Sequence, residues 1–371
     1  MNKIERVDRV LNGEEVDRPP LSLWYHFGIH HAGGEQFARI SLEFFNYYDF
    51  DFLKVMNDYF YPPPQGLDAV KTKADLKRIS HFDVDQTDWQ EQFKALEHIS
   101  SELRDKAYFI DTVFDPWQSI RRNMAGENIE ALMENEPDAL LEALDIVADN
   151  LINYCKKSLA IGTAGIFMSV PAARELISRE NFLRFVKPPA VKVFKAISAL
   201  GKMNTAHIHG EDLFFNDVLD FPVDIFSWWD RSAKGPSLQW VKERIPGCVM
   251  GGINQKIVAR TTREFLKNHV REGIELGGKT RFFLANGCSS DSWGYPPSML
   301  AIVEAVKAAA KWRPRAGCVL QAAVAGPIAM PALLSLEVQP ASSERLSATA
   351  AASLVLFFMS VPCRRHPQHL V

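Results

Sequence analysis

Residues 203–229 read MNTAHIHGEDLFFNDVLDFPVDIFSWW and contain two short hydrophobic runs, at 203–209 and 224–229. The second run, DIFSWW, is nearly continuous in apolar residues, which is the pattern of a parallel strand covered on both faces. Outward from this pair, six further apolar runs bounded by turn residues lie at 21–26, 52–58, 108–114, 165–170, 248–253 and 281–285. The chain therefore offers eight candidate strands.

Amphipathic stretches typical of helices lie between the runs, at 35–47, 129–159, 179–200, 237–244 and 261–276. Alternation of strand and helix predicts right-handed crossovers and a parallel sheet, and the eight strands predict an α/β protein with a (β/α)8 TIM barrel. An open doubly wound sheet is the competing fold. Because neither GxGxxG nor GxxxxGK[ST] follows the first run, we expect the barrel, and no nicotinamide or flavin cofactor.

The composition changes after the last amphipathic stretch, 299–312. From Pro314 onward there is no Lys, Asp, Trp or Tyr, and Ala, Leu, Ser, Val and Pro dominate. We expect a barrel domain over 1–313 and a poorly structured tail over 314–371. The longest apolar run of the tail, 350–361, is shorter than the ~20 residues of a spanning helix, so no membrane association is expected.

Charge and cysteine content exclude several classes of protein. The 371 residues carry 42 Lys and Arg against 45 Asp and Glu, a formal charge of -3, so no basic surface for nucleic acid is expected. The first residues are charged and lack the apolar segment of a signal peptide, which predicts a cytoplasmic protein. Five scattered cysteines are better interpreted as reduced thiols or metal ligands than as disulfides.

Candidate metal ligands follow two of the predicted strands. In a TIM barrel the active site lies at the C-terminal ends of the strands. His207 and His209 are two apart on one strand and so face the same side, and Cys288 ends another strand. Two imidazoles and one thiolate form a typical three-ligand zinc site, with Glu211 or Asp230 orienting the imidazoles. Without metal, the histidines would be ordinary strand residues and Cys288 a small buried one.

Other strand ends carry polar and aromatic residues that suit a substrate cavity. Asp58 is the candidate general acid or base, unless it only caps a nearby backbone amide. The candidate substrate-binding residues are Tyr25, His26, Asn57, Tyr59, Trp117, Trp228, Asp230 and Asn254. Core packing explains several of the aromatic ones equally well. We expect a small-molecule substrate held against aromatic walls.

The order of six motifs resembles the uroporphyrinogen decarboxylase superfamily. These are RVLNGEEVDRPPLSLW (9–24), FLKVMND (52–58), FDPW (114–117), HIHG (207–210), VMGGIN (249–254) and ANGC (285–288). The resemblance extends from about residue 4 to 312. It implies a TIM barrel with a cleft at the strand ends. The superfamily contains the decarboxylases, which are dimers, and zinc-dependent methyltransferases that act on methylcobamides, thiols and methoxy compounds.

Individual positions separate these two branches. Decarboxylases carry an arginine-rich loop after the first strand, whereas residues 25–30 here read YHFGIH. Their essential aspartate is matched by Asp58. The methyltransferases hold zinc with His-x-Cys on strand five and with a Cys after strand eight. His207 and Cys288 match this pattern, and His209 stands where the family has Cys.

The resemblance thus implies zinc-dependent methyl transfer to a thiol or corrinoid acceptor. A methylcobamide or methoxy compound would be the donor, and a corrinoid protein a partner. The first alternative is decarboxylation of uroporphyrinogen III, with Arg121, Arg122 and Arg174 replacing the missing loop arginines. The second is a non-catalytic barrel that binds a small molecule. Since a substrate with eight carboxylates needs several guanidinium partners, we expect a smaller and less anionic substrate.

Overall fold

A computed structural model describes residues 1–29, 31–57, 59–291 and 296–310. These residues belong to one compact unit, Met1–Pro314. The predicted tail, 314–371, lies outside the described residues. Among the described helices, none combines the length and the apolar character needed to cross a bilayer.

Eight parallel strands form a single sheet in the order β1-β8-β7-β6-β5-β4-β3-β2. The strands are β1 (Leu21–Ser22), β2 (Phe52–Lys54), β3 (Tyr108–Phe114), β4 (Gly165–Pro171), β5 (Thr205–His209), β6 (Ile225–Trp228), β7 (Cys248–Ile253) and β8 (Phe282–Asn286). Each lies within one or two residues of a predicted run, apart from the shortened ends of β1 and β2. The predicted (β/α)8 TIM barrel is confirmed.

Asp51, just before β2, connects β1 to β2 through its backbone and its carboxylate. The N–H of Leu21 donates to the Asp51 carboxylate at 2.8 Å, and the N–H of Asp51 donates to the carbonyl of Leu21 at 2.9 Å. Arg6 and Arg18 both form ion pairs with this carboxylate, which is almost fully buried. Asp51 therefore joins the first two strands and binds both arginines. We call this contact between Leu21 of β1 and Asp51 before β2 the seam of the barrel.

Helices cover the outside of the sheet. They are α1 (Lys3–Leu11), α2 (Gly34–Tyr48), α3 (Lys73–Leu76), α4 (Trp89–Leu103), α5 (Pro116–Ile120), α6 (Asn128–Asn135), α7 (Pro137–Ile161), α8 (Arg179–Asn181), α9 (Lys187–Ile197), α10 (Leu238–Lys242), α11 (Arg263–Gly277) and α12 (Pro296–Ala309). Short 3-10 turns lie at Val84–Gln86 and Phe215–Asp217, and π-helical turns at Arg121–Ala125 and Phe182–Val186.

Two predicted helices are interrupted. The stretch 129–159 divides into α6 and α7 because Pro137 has no N–H to continue the first helix and instead begins the second. The stretch 179–200 contains the π-helical turn Phe182–Val186 between α8 and α9. Both amphipathic stretches are thus helical, but neither is one continuous α-helix.

Candidate metal centre

Strands β5 and β8 bring three potential metal ligands together at the C-terminal end of the barrel. One donor atom each from His207, His209 and Cys288 lies within 4.8 Å of the other two. The Cys288 Sγ is 3.7 Å from the His209 Nδ1. In tetrahedral zinc sites the ligand atoms lie about 3.5 Å from one another, so small side-chain rotations would complete the geometry.

His207 lies deepest and is held in a fixed orientation. Its ring stacks on Phe167, with centroids 5.1 Å apart, and its Nδ1 is 3.3 Å from the Ser227 hydroxyl oxygen. Burial lowers the pKa of His207 well below its usual value, and the neighbouring His209 and Lys54 lower it further. The imidazole is therefore neutral at pH 7, the form that can bind a metal ion.

His209 and Cys288 complete the group. Burial and the charge of Arg122 lower the pKa of His209, while Glu175 opposes the shift. Burial raises the pKa of the Cys288 thiol, and the Ser289 N–H, Lys54 and Lys256 act against that rise. Since a bound cation deprotonates a thiol outright, these residues fit a zinc ion through neutral imidazoles and one thiolate.

The backbone after β8 is fixed so that Cys288 faces the histidines. The Asn286 amide donates to the carbonyls of Trp24, at 3.0 Å, and of Cys288. A Cβ on Gly287 would lie 2.7 Å from the Trp229 Cα, so only glycine fits there. Asn286 and Gly287 are thus positioning residues for Cys288, and both belong to the ANGC motif.

Two cavities lie near the C-terminal ends of the strands. The larger, of about 630 Å³, contains all three metal-binding residues, and its other walls include Glu175, Glu211, Trp229, Gln255, Lys256 and Asp291. The smaller, of about 190 Å³, lies on the side of β2 and β3, and its walls include His26, Asn57, Tyr59, Phe114, Arg122 and Asn123. The larger cavity is therefore the one that the metal-binding residues line.

Three of the predicted substrate-binding residues line the smaller cavity. They are His26, Asn57 and Tyr59. Asp58, the predicted catalytic carboxylate, lies outside the described residues. Trp117 is fully buried, and the Arg121 guanidinium lies over its ring at 5.6 Å.

Tyr25 and Trp228 contact the helical layer, not the two cavities of the site. The Tyr25 ring packs edge-on against Phe44 of α2 at 5.2 Å. Trp228 packs on Phe215 and donates its indole N–H to the carbonyl of Pro236. Neither residue is among the described walls of the two cavities.

Asp230 and Asn254 shape the loops after β6 and β7. Asp230 accepts a 2.8 Å hydrogen bond from the Gly252 N–H, and burial raises the pKa of its carboxyl to about 6. The Asn254 N–H donates to His269 Nε2 at 2.9 Å. The sequence had predicted that Glu211 or Asp230 orients the imidazoles, but neither of them is the group beside His207 Nδ1. The Ser227 hydroxyl is there instead.

Lys54 is the main site residue that the sequence reasoning missed. Its ammonium lies inside the barrel, donates to the Thr112 hydroxyl at 2.8 Å and stands over the Phe167 ring at 4.4 Å. Phe167 in turn stacks on His207. The available signal was a lysine in the middle of the apolar run FLKVM, two residues after Phe52 and so on the same face of the strand.

The geometry defines a barrel protein with a candidate metal centre at its strand ends. The sequence profile of the uroporphyrinogen decarboxylase family, URO-D, matches residues 2–309. The chain belongs to this family.

Solved structures share the fold at low sequence identity. A methyltransferase from Methanosarcina mazei is similar with a TM-score of 0.66 and 17% identity, covering 83% of this chain and 99% of that one. A B12-independent methionine synthase from a Shewanella species has a TM-score of 0.54 and 12% identity, covering 79% and 92%. A search of curated proteins found no match.

Proposed function

We propose that the chain is a zinc-dependent methyltransferase of the uroporphyrinogen decarboxylase family. The observation that carries the proposal is the convergence of His207, His209 and Cys288 within 4.8 Å at the strand ends. The two similar solved structures are described as a methyltransferase and a methionine synthase, which supports methyl transfer as the reaction class.

Zinc, when bound, would supply Lewis-acid activation by lowering the pKa of a thiol acceptor so that it is an anion at neutral pH. The protein residues prepare that chemistry. Burial keeps His207 neutral, and the Ser227 hydroxyl beside Nδ1 favours Nε2 as the ligand atom. Asn286 and Gly287 fix the backbone that carries Cys288.

The reaction itself would be an in-line displacement. The acceptor thiolate supplies the electron pair of the new sulfur–carbon bond, and the bond from the donor to the methyl carbon breaks with its pair left on the donor. The donor would be a methylcobamide, presented by a corrinoid protein, or a methoxy compound. The cavity of about 630 Å³ beside the three ligands provides room for the reacting groups to align.

The arginines argue against the decarboxylase alternative. Of the three arginines that would replace the missing loop, Arg174 forms an exposed ion pair with Asp212 at 3.3 Å, which leaves Arg121 and Arg122 for eight carboxylates. Residues 25–31 contribute no arginine. Eight substrate carboxylates would lack the counter-charges that their burial requires.

Cobalt substitution tests the proposed chemistry directly. Co²⁺ bound through Cys288 is expected to give a thiolate-to-metal charge-transfer band in the near ultraviolet. Adding a small thiol such as 2-mercaptoethanol should strengthen this band, because a second sulfur enters the open coordination position. A cobalt complex that forms without any charge-transfer band, or one that ignores added thiol, would contradict the proposal.

The decarboxylase alternative is tested with the same purified protein. Uroporphyrinogen at neutral pH is expected to remain unchanged. Rapid formation of coproporphyrinogen would show that the protein is a decarboxylase and would overturn the methyl-transfer proposal.

A further inference from the structure

We propose that the smaller cavity binds an aromatic carboxylate and that Arg122 holds the carboxylate group. The cavity measures about 190 Å³, and much of its wall is aromatic, with Tyr59, Tyr61, Trp89, Phe114 and Tyr154 among its lining residues. A wall of this kind favours a flat apolar body, because aromatic rings gain edge-to-face and stacked contacts beyond simple burial.

Arg122 has no counter-ion in the part of the chain that the structure describes. Its guanidinium stands over the Phe114 ring at 4.0 Å, and no hydrogen bond or ion pair to a described residue is formed. The Arg122 side chain is exposed, so an incoming carboxylate can reach the guanidinium and accept bidentate, charge-assisted hydrogen bonds from it.

The described walls of the cavity favour an anion over a cation. Among the described lining residues there is no Asp or Glu, whereas Arg122 contributes a positive charge and Asn57 and Asn123 contribute amide groups. The larger cavity carries charges of both signs, since Glu175, Glu211 and Asp291 line it together with Lys256 and Arg260. Among the described residues, the smaller cavity has a positive charge and no acidic side chain in its wall, which favours the anionic ligand there.

The backbone at Arg122 is an independent indication of function. Arg121–Ala125 forms a π-helical turn directly after α5, and the Gly126 N–H donates to the Arg121 carbonyl at 2.8 Å. The extra residue of a π turn rotates the side chains that follow by about 100° relative to a continuous α-helix. Such turns cost stability and are frequent at functional sites.

The cavity lies at the same end of the barrel as the metal-binding residues, because Phe114 of its wall ends β3 and His209 ends β5. Only the identification of this ligand as a substrate rests on the proposed function. The binding of an aromatic carboxylate by Arg122 does not depend on zinc or on methyl transfer.

Calorimetric titration of the full-length protein with benzoate tests the inference, with benzyl alcohol as the neutral analogue and acetate as the anion without a ring. Benzoate is expected to bind about tenfold or more tightly than either, since both the charge-assisted hydrogen bonds and the ring contribute. Arg122→Gln should reduce benzoate affinity to that of benzyl alcohol and leave benzyl alcohol unchanged. Arg122→Lys should recover part of the loss.

Arg121→Gln is the matched control, because Arg121 is the adjacent residue, is exposed and is not part of the cavity wall. It should bind benzoate like the wild type. Undetectable benzoate binding by the wild type, equal affinities for benzoate and benzyl alcohol, or unchanged benzoate affinity in Arg122→Gln would each overturn the inference.

Zinc content measured on the same samples separates this inference from the proposed function. Protein that binds benzoate through Arg122 but takes up no zinc would refute the proposed function alone. Protein that holds zinc but binds benzoate equally well in Arg122→Gln would refute the inference alone.

Discussion

At the scale of single residues, the reactivity of Cys288 depends on the charges around it. Burial raises the pKa of its thiol, while Lys54 and Lys256 counteract the rise. Because only the thiolate reacts with alkylating agents, iodoacetamide should modify metal-free Cys288 slowly at pH 7 and faster as the pH increases. Lys54→Met should raise the pKa of Cys288 further and slow its alkylation at pH 8, as followed by peptide mass spectrometry.

Cys155 and Cys248 provide internal controls for this prediction. Both are buried, and burial raises the pKa of Cys155 well above the usual value and that of Cys248 to about 12. They should remain unmodified while the protein is folded. Equal alkylation rates of Cys288 in the wild type and Lys54→Met would show that Lys54 does not act on the thiol.

Side chains alternate between the two faces of a strand, and this alternation explains which site residues the sequence could predict. His207 and His209 share one face because they are two apart, and the structure places both at the metal centre. Ser227 lies opposite His207 in the sheet, so the next residue, Trp228, faces the helices. The same alternation along β6 would have predicted that Trp228 does not line the cavity. Lys54 was missed because a lysine in a strand usually indicates a solvent-facing position.

At the scale of elements, the apolar pattern predicts the bounds of some strands and overextends others. The runs 108–114 and 248–253 coincide with β3 and β7. The runs 21–26 and 52–58 extend beyond β1 and β2, which end at Ser22 and Lys54. The Trp24 backbone is instead held by the Asn286 side chain. Local apolar pattern cannot reveal such a side-chain contact with a residue 262 positions away.

Asp115, which caps α5 in front of the π-helical turn, should make stability depend on pH. It is fully buried, and burial raises the pKa of its carboxyl to about 7. A carboxyl whose pKa is higher in the folded state stabilises the fold at low pH, and this contribution is lost as the pH rises towards 7. Asp115→Asn keeps a side-chain oxygen for the cap, so its free energy of unfolding should decrease less between pH 5 and pH 8. The difference should be on the order of 1–3 kcal/mol by urea denaturation.

Asp75 is the control, because its contribution should have the opposite sign. It forms the capping box of α3, and hydrogen bonds from Lys71 and Thr72 lower the pKa of its carboxyl. Asp75→Asn should therefore lose stability at neutral pH and not at acidic pH. Parallel pH profiles for Asp115→Asn and the wild type would rule out the role given to Asp115.

At the scale of the whole molecule, the barrel depends on the seam between β1 and β2. Asp51 there bonds Leu21, Arg6 and Arg18. Asp51→Ala would leave two partly buried guanidinium groups without this partner, and removing one member of a buried ion pair costs about 3–5 kcal/mol. Urea denaturation should show a loss of this size.

The neighbouring Asp49 offers a matched comparison. It forms ion pairs with Lys3 and Lys307, and its side chain is 53% exposed. Because exposed pairs contribute about 0–1 kcal/mol, Asp49→Asn should change the free energy of unfolding very little. Asparagine also tolerates the left-handed backbone of this position, where φ is 53°. Similar losses for Asp49→Asn and Asp51→Ala would mean that the seam does not close the barrel as described.

The zinc content of purified protein tests the central claim, that His207, His209 and Cys288 form a metal site, most directly. Wild-type protein is expected to hold about one zinc ion per chain, and Cys288→Ser to lose at least about tenfold in zinc affinity while folding normally. Cys155→Ser, which removes a buried thiol of α7, should keep the metal. Wild-type protein that takes up no zinc, or a Cys288→Ser variant that retains it fully, would contradict the account.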